Sequence, residues 1–135
     1  MRKFLIIEKP LLEKDDTNLL LRDFCDGLGL FSERDKEKSC FRVFVELVKA
    51  EKERDRLSSD EIAENANLSR ATVVHHIDRL EKSGLIRVKK NRYFLTESRF
   101  EDMMDFIEKD IERVLRDFKR RAKLLDRKIW WILLL

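Results

Sequence analysis

The sequence contains few of the residues that catalytic and metal-binding sites most often require. Among 135 residues there are three Gly, one Pro, two Cys, two His and no Gln. So few glycines leave no Gly-rich loop that could bind phosphate groups through its backbone amides. The Cys and His residues lack the spacing of metal ligands, and the acidic residues show no paired-carboxylate pattern. We therefore expect no enzymatic activity, no metal and no cofactor.

The two cysteines and the amino-terminal residues bear on cellular location. The apolar run from Phe4 to Ile7 is too short for the core of a signal peptide. Cys25 and Cys40, in a chain without such a signal, predict buried thiols in the reducing cytoplasm and no disulfide framework. The absence of Gln, together with 42% charged residues, leans toward a protein from a thermophile.

Positive charge is concentrated in one part of the chain. Residues 69–95 hold seven Lys/Arg against two Asp/Glu, a net charge of +5, whereas residues 1–68 carry −3 and residues 96–135 carry +1. The positive excess of the whole chain therefore lies in residues 69–95. Such a concentration is typical of a surface that binds phosphate groups.

Two short amphipathic helices with a tight turn between them are predicted in this region. Ser58 and Glu61 have the spacing of a capping box, so a first helix begins there and ends near residues 65–67, where Asn tolerates turn conformations. Ser69 caps a second helix of about 14 residues, which ends at Gly84. The buried stripes of the two helices are Ile62, Ala63 and Ala66, then Leu68, Val73, Ile77 and Leu80.

The opposite face of the second helix mixes guanidinium, hydroxyl, imidazole and small apolar groups, a combination suited to base edges and phosphates in a major groove. His76, beside the apolar stripe, is expected to be a half-buried, satisfied imidazole. Residues 86–95 then predict two short strands around the polar turn from Lys89 to Arg92.

The run "SSDEIAENANLSRATVVHHIDRLEKSGLIRV", followed by a basic hairpin, resembles the winged helix-turn-helix domains of archaeal and bacterial transcription regulators. The broad class is arsenic-repressor-like and multiple-antibiotic-resistance-repressor-like. The resemblance implies double-stranded DNA as the partner, with the second helix (about 69–83) in the major groove and the wing (87–92) on the backbone or minor groove. Val74 departs from the small polar residue usual at its position. The implied DNA-binding residues are Ser69, Arg70, Thr72, Val74, His75, Arg79, Arg87, Lys89, Lys90, Asn91 and Arg92.

Residues 1–31 are expected to form an amino-terminal arm and one helix, which begins at Asp16 and ends at Gly27. The run 4–7 is either an edge strand or part of the arm. Ser32 with Asp35 predicts the cap of a further helix that runs through Val48 and completes the core of the domain formed by residues 32–96.

Residues 97–135 contain no Pro or Gly, and apolar residues recur at steps of three and four, which predicts one long helix. A stripe of this length needs a second chain to cover it, most simply in a twofold dimer. Residues 97–117 carry a net charge of −4 and residues 118–135 carry +5, which suits the helix dipole and an antiparallel pair. The predicted dimer contacts are Ile107, Ile111, Val114, Phe118, Ala122, Leu125, Ile129 and Ile132.

The tail KIWWILLL has two interpretations. Bases followed by two Trp and several aliphatic residues are typical of an interfacial membrane anchor, although seven apolar residues cannot span a bilayer. We favour burial in a dimer core. The sequence as a whole predicts a mainly α fold with a small β-hairpin wing and a long C-terminal helix, and a cytoplasmic, homodimeric DNA-binding transcription regulator. The alternatives are a winged-helix subunit that binds protein, and a regulator tethered to the membrane surface.

Overall fold

The computed structural model describes residues 6, 16–29 and 38–133, and it confirms a mainly helical chain with one hairpin and a long C-terminal helix. The chain divides into two compact units, Met1–Thr96 and Glu97–Leu135. Helices and strands run in the order α1 (Thr17–Gly27), α2 (Ser39–Lys52), α3 (Ser59–Ala66), α4 (Arg70–Ser83), β1 (Ile86–Lys89), β2 (Arg92–Leu95) and α5 (Phe100–Leu133).

Helix α1 begins where the sequence predicts it. The Asp16 carboxylate accepts hydrogen bonds from the amides of Asn18, at 2.9 Å, and Leu19, at 3.3 Å, so two first-turn amides that lack helical partners are satisfied. The helix ends at Gly27 and buries Cys25. The predicted cap at Ser32 and Asp35 lies outside the described residues, as does the run 4–7 apart from Ile6.

Helices α2, α3 and α4 pack around one apolar core. Phe44 and Leu47 of α2, Ile62 of α3, and Val73 and Leu80 of α4 are each at most 1% exposed. These residues recur at the helical steps that the sequence predicts, so each helix turns one stripe inward. Truncation of a core residue this deeply buried costs about 2–5 kcal/mol of folding free energy, so this core holds α3 and α4 in place.

Strands β1 and β2 form an antiparallel hairpin in which Lys89 pairs with Arg92. A third extended position, which the sequence analysis did not predict, lies beside it. The Leu57 amide donates to the Tyr93 carbonyl at 3.3 Å, and the Tyr93 amide donates to the Leu57 carbonyl at 2.7 Å. The segment before α3 is thereby joined to β2, which lies between Leu57 and β1.

Helix α5 is one uninterrupted element of 34 residues. At about 1.5 Å per residue it is roughly 51 Å long. Within it Met103 and Ile107 are buried, whereas every residue from Glu112 to Ile132 is exposed.

Candidate nucleic-acid interface

Helix α4 has one buried face and one exposed face. Its N-cap is Ser69, whose hydroxyl accepts from the Thr72 amide at 3.2 Å, and it ends at Gly84 in the left-handed conformation, φ 83°. Both ends were predicted from the sequence, because a hydroxyl satisfies a first-turn amide and glycine enters the left-handed region without a Cβ clash. Of the predicted contact residues on this helix, Arg70, Val74 and His75 are exposed together with the cap Ser69, and Thr72 and Arg79 are partly exposed.

Two of these side chains are bonded to each other. The Ser69 hydroxyl donates to Thr72 Oγ1 at 2.8 Å while it caps the helix. Arg70 forms an ion pair with Asp60 of α3, with Nε and Oδ1 3.4 Å apart and both side chains 72% exposed. An exposed pair of this kind contributes little to stability, so a phosphate or base edge can replace Asp60 at small cost.

The turn between α3 and α4 is held by a residue that the sequence analysis did not single out. Asn67 adopts the left-handed conformation, φ 53°, at the end of α3. The Arg42 guanidinium, reaching across from α2, donates to the carbonyl of Ala66 and to that of Asn67, the latter at 3.3 Å. These carbonyls are among the acceptors that a helix end leaves without helical partners. Arg42 is the one charged residue inside the apolar run CFRVFV, and that isolation was the available signal.

A buried polar contact joins α2 to the inner face of α4. His76 is 5% exposed, and its Nε2 lies 2.6 Å from Ser39 Oγ. Nε2 of the imidazole thus has a hydrogen-bond partner, and the ring is more deeply buried than predicted. Ser39, its partner, carries no sequence signal. The two residues are 37 positions apart in the sequence, and only folding brings them together. The contact fixes the rotation of α4 about its axis, which determines the side chains that face outward.

The wing is a tight hairpin with a basic tip. Lys90 and Asn91 both have positive φ, 52° and 61°, between the paired residues Lys89 and Arg92. This two-residue turn with left-handed backbone at both positions has the twist that a hairpin needs. The predicted wing residues Arg87, Lys89, Lys90, Asn91 and Arg92 are all exposed.

Arg92 differs from the other wing residues in having protein partners. Its Nη1 donates to the Arg56 carbonyl at 2.8 Å and lies 3.0 Å from Glu61 Oε1. Glu61 also accepts from the Ser58 hydroxyl at 3.3 Å, while the Arg56 guanidinium stacks 3.9 Å from the centroid of the Phe94 ring. Arg92, which follows the turn of the hairpin, thus ties the tip of the wing to the start of α3, and spacing in the sequence could not reveal this contact.

The cysteines do not form a reactive site. Cys25 and Cys40 are buried and form no disulfide bond. Burial, with a smaller contribution from Cys40, raises the pKa of the Cys25 thiol from 9.0 to about 12. Since the thiolate is the nucleophile and the metal ligand, Cys25 stays protonated at neutral pH. Over residues 6, 16–29 and 38–133, no group of three or more His, Cys, Asp or Glu side chains is placed to hold a metal ion.

The predicted dimer contacts on α5 differ in exposure. Ile107 is 1% exposed and Ile111 is partly exposed. The remaining predicted contacts, Val114, Phe118, Ala122, Leu125, Ile129 and Ile132, are exposed. The Arg121 guanidinium lies 5.2 Å from the Phe118 ring centroid, at the edge of this stripe.

Residues 37–89 match the family model of a helix-turn-helix domain. The match covers α2, α3, α4 and β1, so it includes the core and the exposed face of α4. No curated protein and no solved structure is similar enough to the chain to be matched. The match supports a helix-turn-helix domain of the DNA-binding kind over residues 37–89, and the hairpin that follows α4 is consistent with a winged helix.

Proposed function

We propose that the protein is a homodimeric, sequence-specific DNA-binding transcription regulator with no chemistry of its own. The observation that carries the proposal is the basic outer surface of α4 and the wing, which is exposed beside a helix-turn-helix core. Residues 69–95 carry a net charge of +5, whereas DNA presents a phosphate charge about every 1.7 Å along its axis.

In this proposal α4 lies in the major groove and reads base edges. Arg70 donates to guanine or to a phosphate next to it, and His75 bonds a base edge further along the helix. Val74 is 49% exposed, an unusual position for an apolar residue, and the methyl group of thymine is the natural partner for it. The mixture of polar and apolar groups gives sequence preference as well as affinity.

The wing contributes mainly phosphate contacts. Within the part of the chain that the structure describes, Arg87, Lys89 and Lys90 form no ion pair. We infer that the tip of the hairpin approaches the DNA backbone or the minor groove. Phosphate contacts fix register and orientation and carry no sequence information themselves. Arg92, held by Glu61 and the Arg56 carbonyl, positions the wing and is a weaker candidate for direct contact.

The proposed dimer forms through the exposed apolar stripe of α5. Val114, Phe118 and Leu125 are 43%, 60% and 55% exposed. If no second chain covers these side chains, the stabilisation that their burial would give is lost. From Ile111 to Ile129 the stripe advances by steps of three, four, four, three and four. These five steps cover 18 residues, or 3.6 residues per turn, which is the period of a straight α-helix and suits two nearly straight helices.

An antiparallel arrangement places the acidic half of one α5 beside the basic half of the other, since residues 97–117 carry −4 and residues 118–135 carry +5. A twofold dimer presents two copies of α4, and half-sites about 34 Å apart are the spacing that such regulators usually read. The finer resemblance to arsenic-repressor-like and multiple-antibiotic-resistance-repressor-like regulators belongs to this proposal, as does the cytoplasmic location.

Selection of bound sequences from a random duplex pool tests the proposal. We expect enrichment of an inverted repeat with half-sites about one helical turn apart. A His75→Ala variant should relax the preference at one position in each half-site, while an Asp78→Ala variant on the same helix, whose partner is Lys82, should select the same sequence as the native chain. A pool without enrichment contradicts sequence-specific binding and favours the protein-binding alternative.

A further inference from the structure

The end of α5 carries apolar side chains that the dimer stripe does not include. Leu124, Trp130 and Trp131 are 47%, 63% and 73% exposed. At about 100° per residue they lie well away from the stripe through Phe118, Leu125 and Ile129. A second α5 packed on the stripe therefore leaves both indoles in water.

The last described turn of α5 is apolar around its whole circumference. Ile129, Trp130, Trp131 and Ile132 are consecutive, so they point in four directions roughly 100° apart, and all four are exposed. One partner helix contacts only about a third of a helix surface. A medium that surrounds the turn, such as the apolar side of a lipid interface, matches this distribution better.

The charges next to this turn have the sign that an anionic surface attracts. Residues 118–132 contain six Lys/Arg and one acid, Asp126, a net charge of +5. Arg127 and Lys128 directly precede the apolar turn and are exposed. Long basic side chains at such a position extend toward lipid phosphates while their stems stay with the apolar groups.

We propose that the terminal part of α5, which we call the tip and define as Leu124–Ile132, binds an anionic membrane surface. Trp130 and Trp131 lie at the level of the lipid headgroups, where indoles are favoured, and Arg127 and Lys128 contact lipid phosphates. None of the helices in the described part of the chain has the length and hydropathy of a membrane-spanning segment. This activity goes beyond DNA binding and does not depend on it.

The chain itself provides the probe, because Trp130 and Trp131 are its only two tryptophans. Phosphatidylglycerol vesicles should shift the tryptophan emission of the full chain to shorter wavelength and protect it from acrylamide, and phosphatidylcholine vesicles should not. High salt should weaken the response, because exposed charges are screened. An Arg127→Ala/Lys128→Ala variant should lower partitioning into anionic vesicles about 25-fold, roughly fivefold per base.

A Lys89→Ala/Lys90→Ala variant is the matched control, since it removes the same charge from the wing. It should keep native vesicle binding and lose DNA affinity. A Trp130→Ala/Trp131→Ala variant should bind DNA normally. In a flotation assay with phosphatidylglycerol vesicles, this variant should not float with the vesicles. Three results each overturn the proposal: no shift with anionic vesicles, equal loss of vesicle binding in both basic-residue variants, or an emission that is already short-wavelength in buffer and varies with protein concentration. The last result would assign the tip to a contact between copies of the chain, without altering the case for DNA binding.

Discussion

Replacement of Arg42 should destabilise the domain by removing the donor that holds the end of α3. Arg42 is half-buried and donates to the carbonyls of Ala66 and Asn67. A hydrogen bond from a charged group contributes about 1.5–3 kcal/mol, and the longer, exposed bond to Asn67 adds little. We therefore expect Arg42→Met, which keeps most of the aliphatic stem, to lower the free energy of unfolding by about 2 kcal/mol. Arg42→Ala also loses the packing of the stem and should cost about 3 kcal/mol.

Urea denaturation followed by far-ultraviolet circular dichroism measures these changes. A loss of 2 kcal/mol corresponds to a fall in Tm of roughly 8–16 °C for a domain of this size, with the denaturant slope unchanged. DNA affinity should fall in both variants, because the turn that Arg42 holds sets the angle between α3 and α4. If Arg42→Met unfolds within about 0.5 kcal/mol of the native protein, the typical scatter of surface substitutions, then the two carbonyl contacts do not stabilise the turn.

Three further predictions concern the binding surface and the buried thiol. Arg70→Ala should weaken operator binding by about 1–3 kcal/mol without changing stability, because its ion pair with Asp60 is exposed. Asp60→Ala, the matched control, should bind DNA as well as the native protein or better. If Asp60→Ala weakens binding and Arg70→Ala does not, Arg70 is not part of the interface. Lys90→Gly should raise stability by roughly 0.5 kcal/mol, since glycine accepts a φ of 52° without strain, yet it should reduce DNA affinity and the salt dependence of binding. From pH 9 toward 12 the unfolded chain loses the Cys25 proton while the folded chain keeps it, so stability falls as pH rises. Cys25→Ala should remove up to about 1.4 kcal/mol per pH unit of that fall. Identical profiles of unfolding free energy against pH for the native chain and Cys25→Ala would mean that the thiol has the same pKa in both states.

Local signals in the sequence predict the reading elements well. Ser58, Ser69 and Gly84 mark helix ends through chemistry that acts within three or four residues, and the structure places all three at those ends. The apolar steps through Ile62 and Val73 identify the buried faces for the same reason, since helix geometry alone brings these positions to one side. The exposure of the opposite face of α4 was predicted from the angular positions of its residues around the helix axis.

Contacts between distant segments could not be obtained in this way. Arg42 reaches Ala66 and Asn67, Ser39 meets His76, and Leu57 pairs with Tyr93, all across more than 20 residues of chain. Each contact depends on how the helices and the hairpin pack together. A single sequence carries the polar side chain but no sign of its partner, so the contacts of Arg92 with Glu61 and with the Arg56 carbonyl could not be predicted.

Periodicity in α5 predicts the helix but not the surroundings of each residue. Ile107 and Phe118 lie on the same stripe, yet the first is 1% exposed and the second is 60% exposed. A repeating pattern shows that a face needs cover without showing what provides it. Helix geometry places Trp130 and Trp131 away from the stripe, but their exposure is known only from the structure.

The salt dependence of binding to duplex DNA tests the central claim most directly. Four exposed basic side chains on each protomer, Arg70, Arg87, Lys89 and Lys90, give about eight phosphate contacts in a dimer. The logarithm of the association constant should then fall linearly with the logarithm of salt concentration, with a slope of about −7. The Lys89→Ala/Lys90→Ala variant should reduce the slope to about half of that value. Binding that is absent, or that stays constant as salt rises, would contradict the assignment of α4 and the wing as a DNA-binding surface.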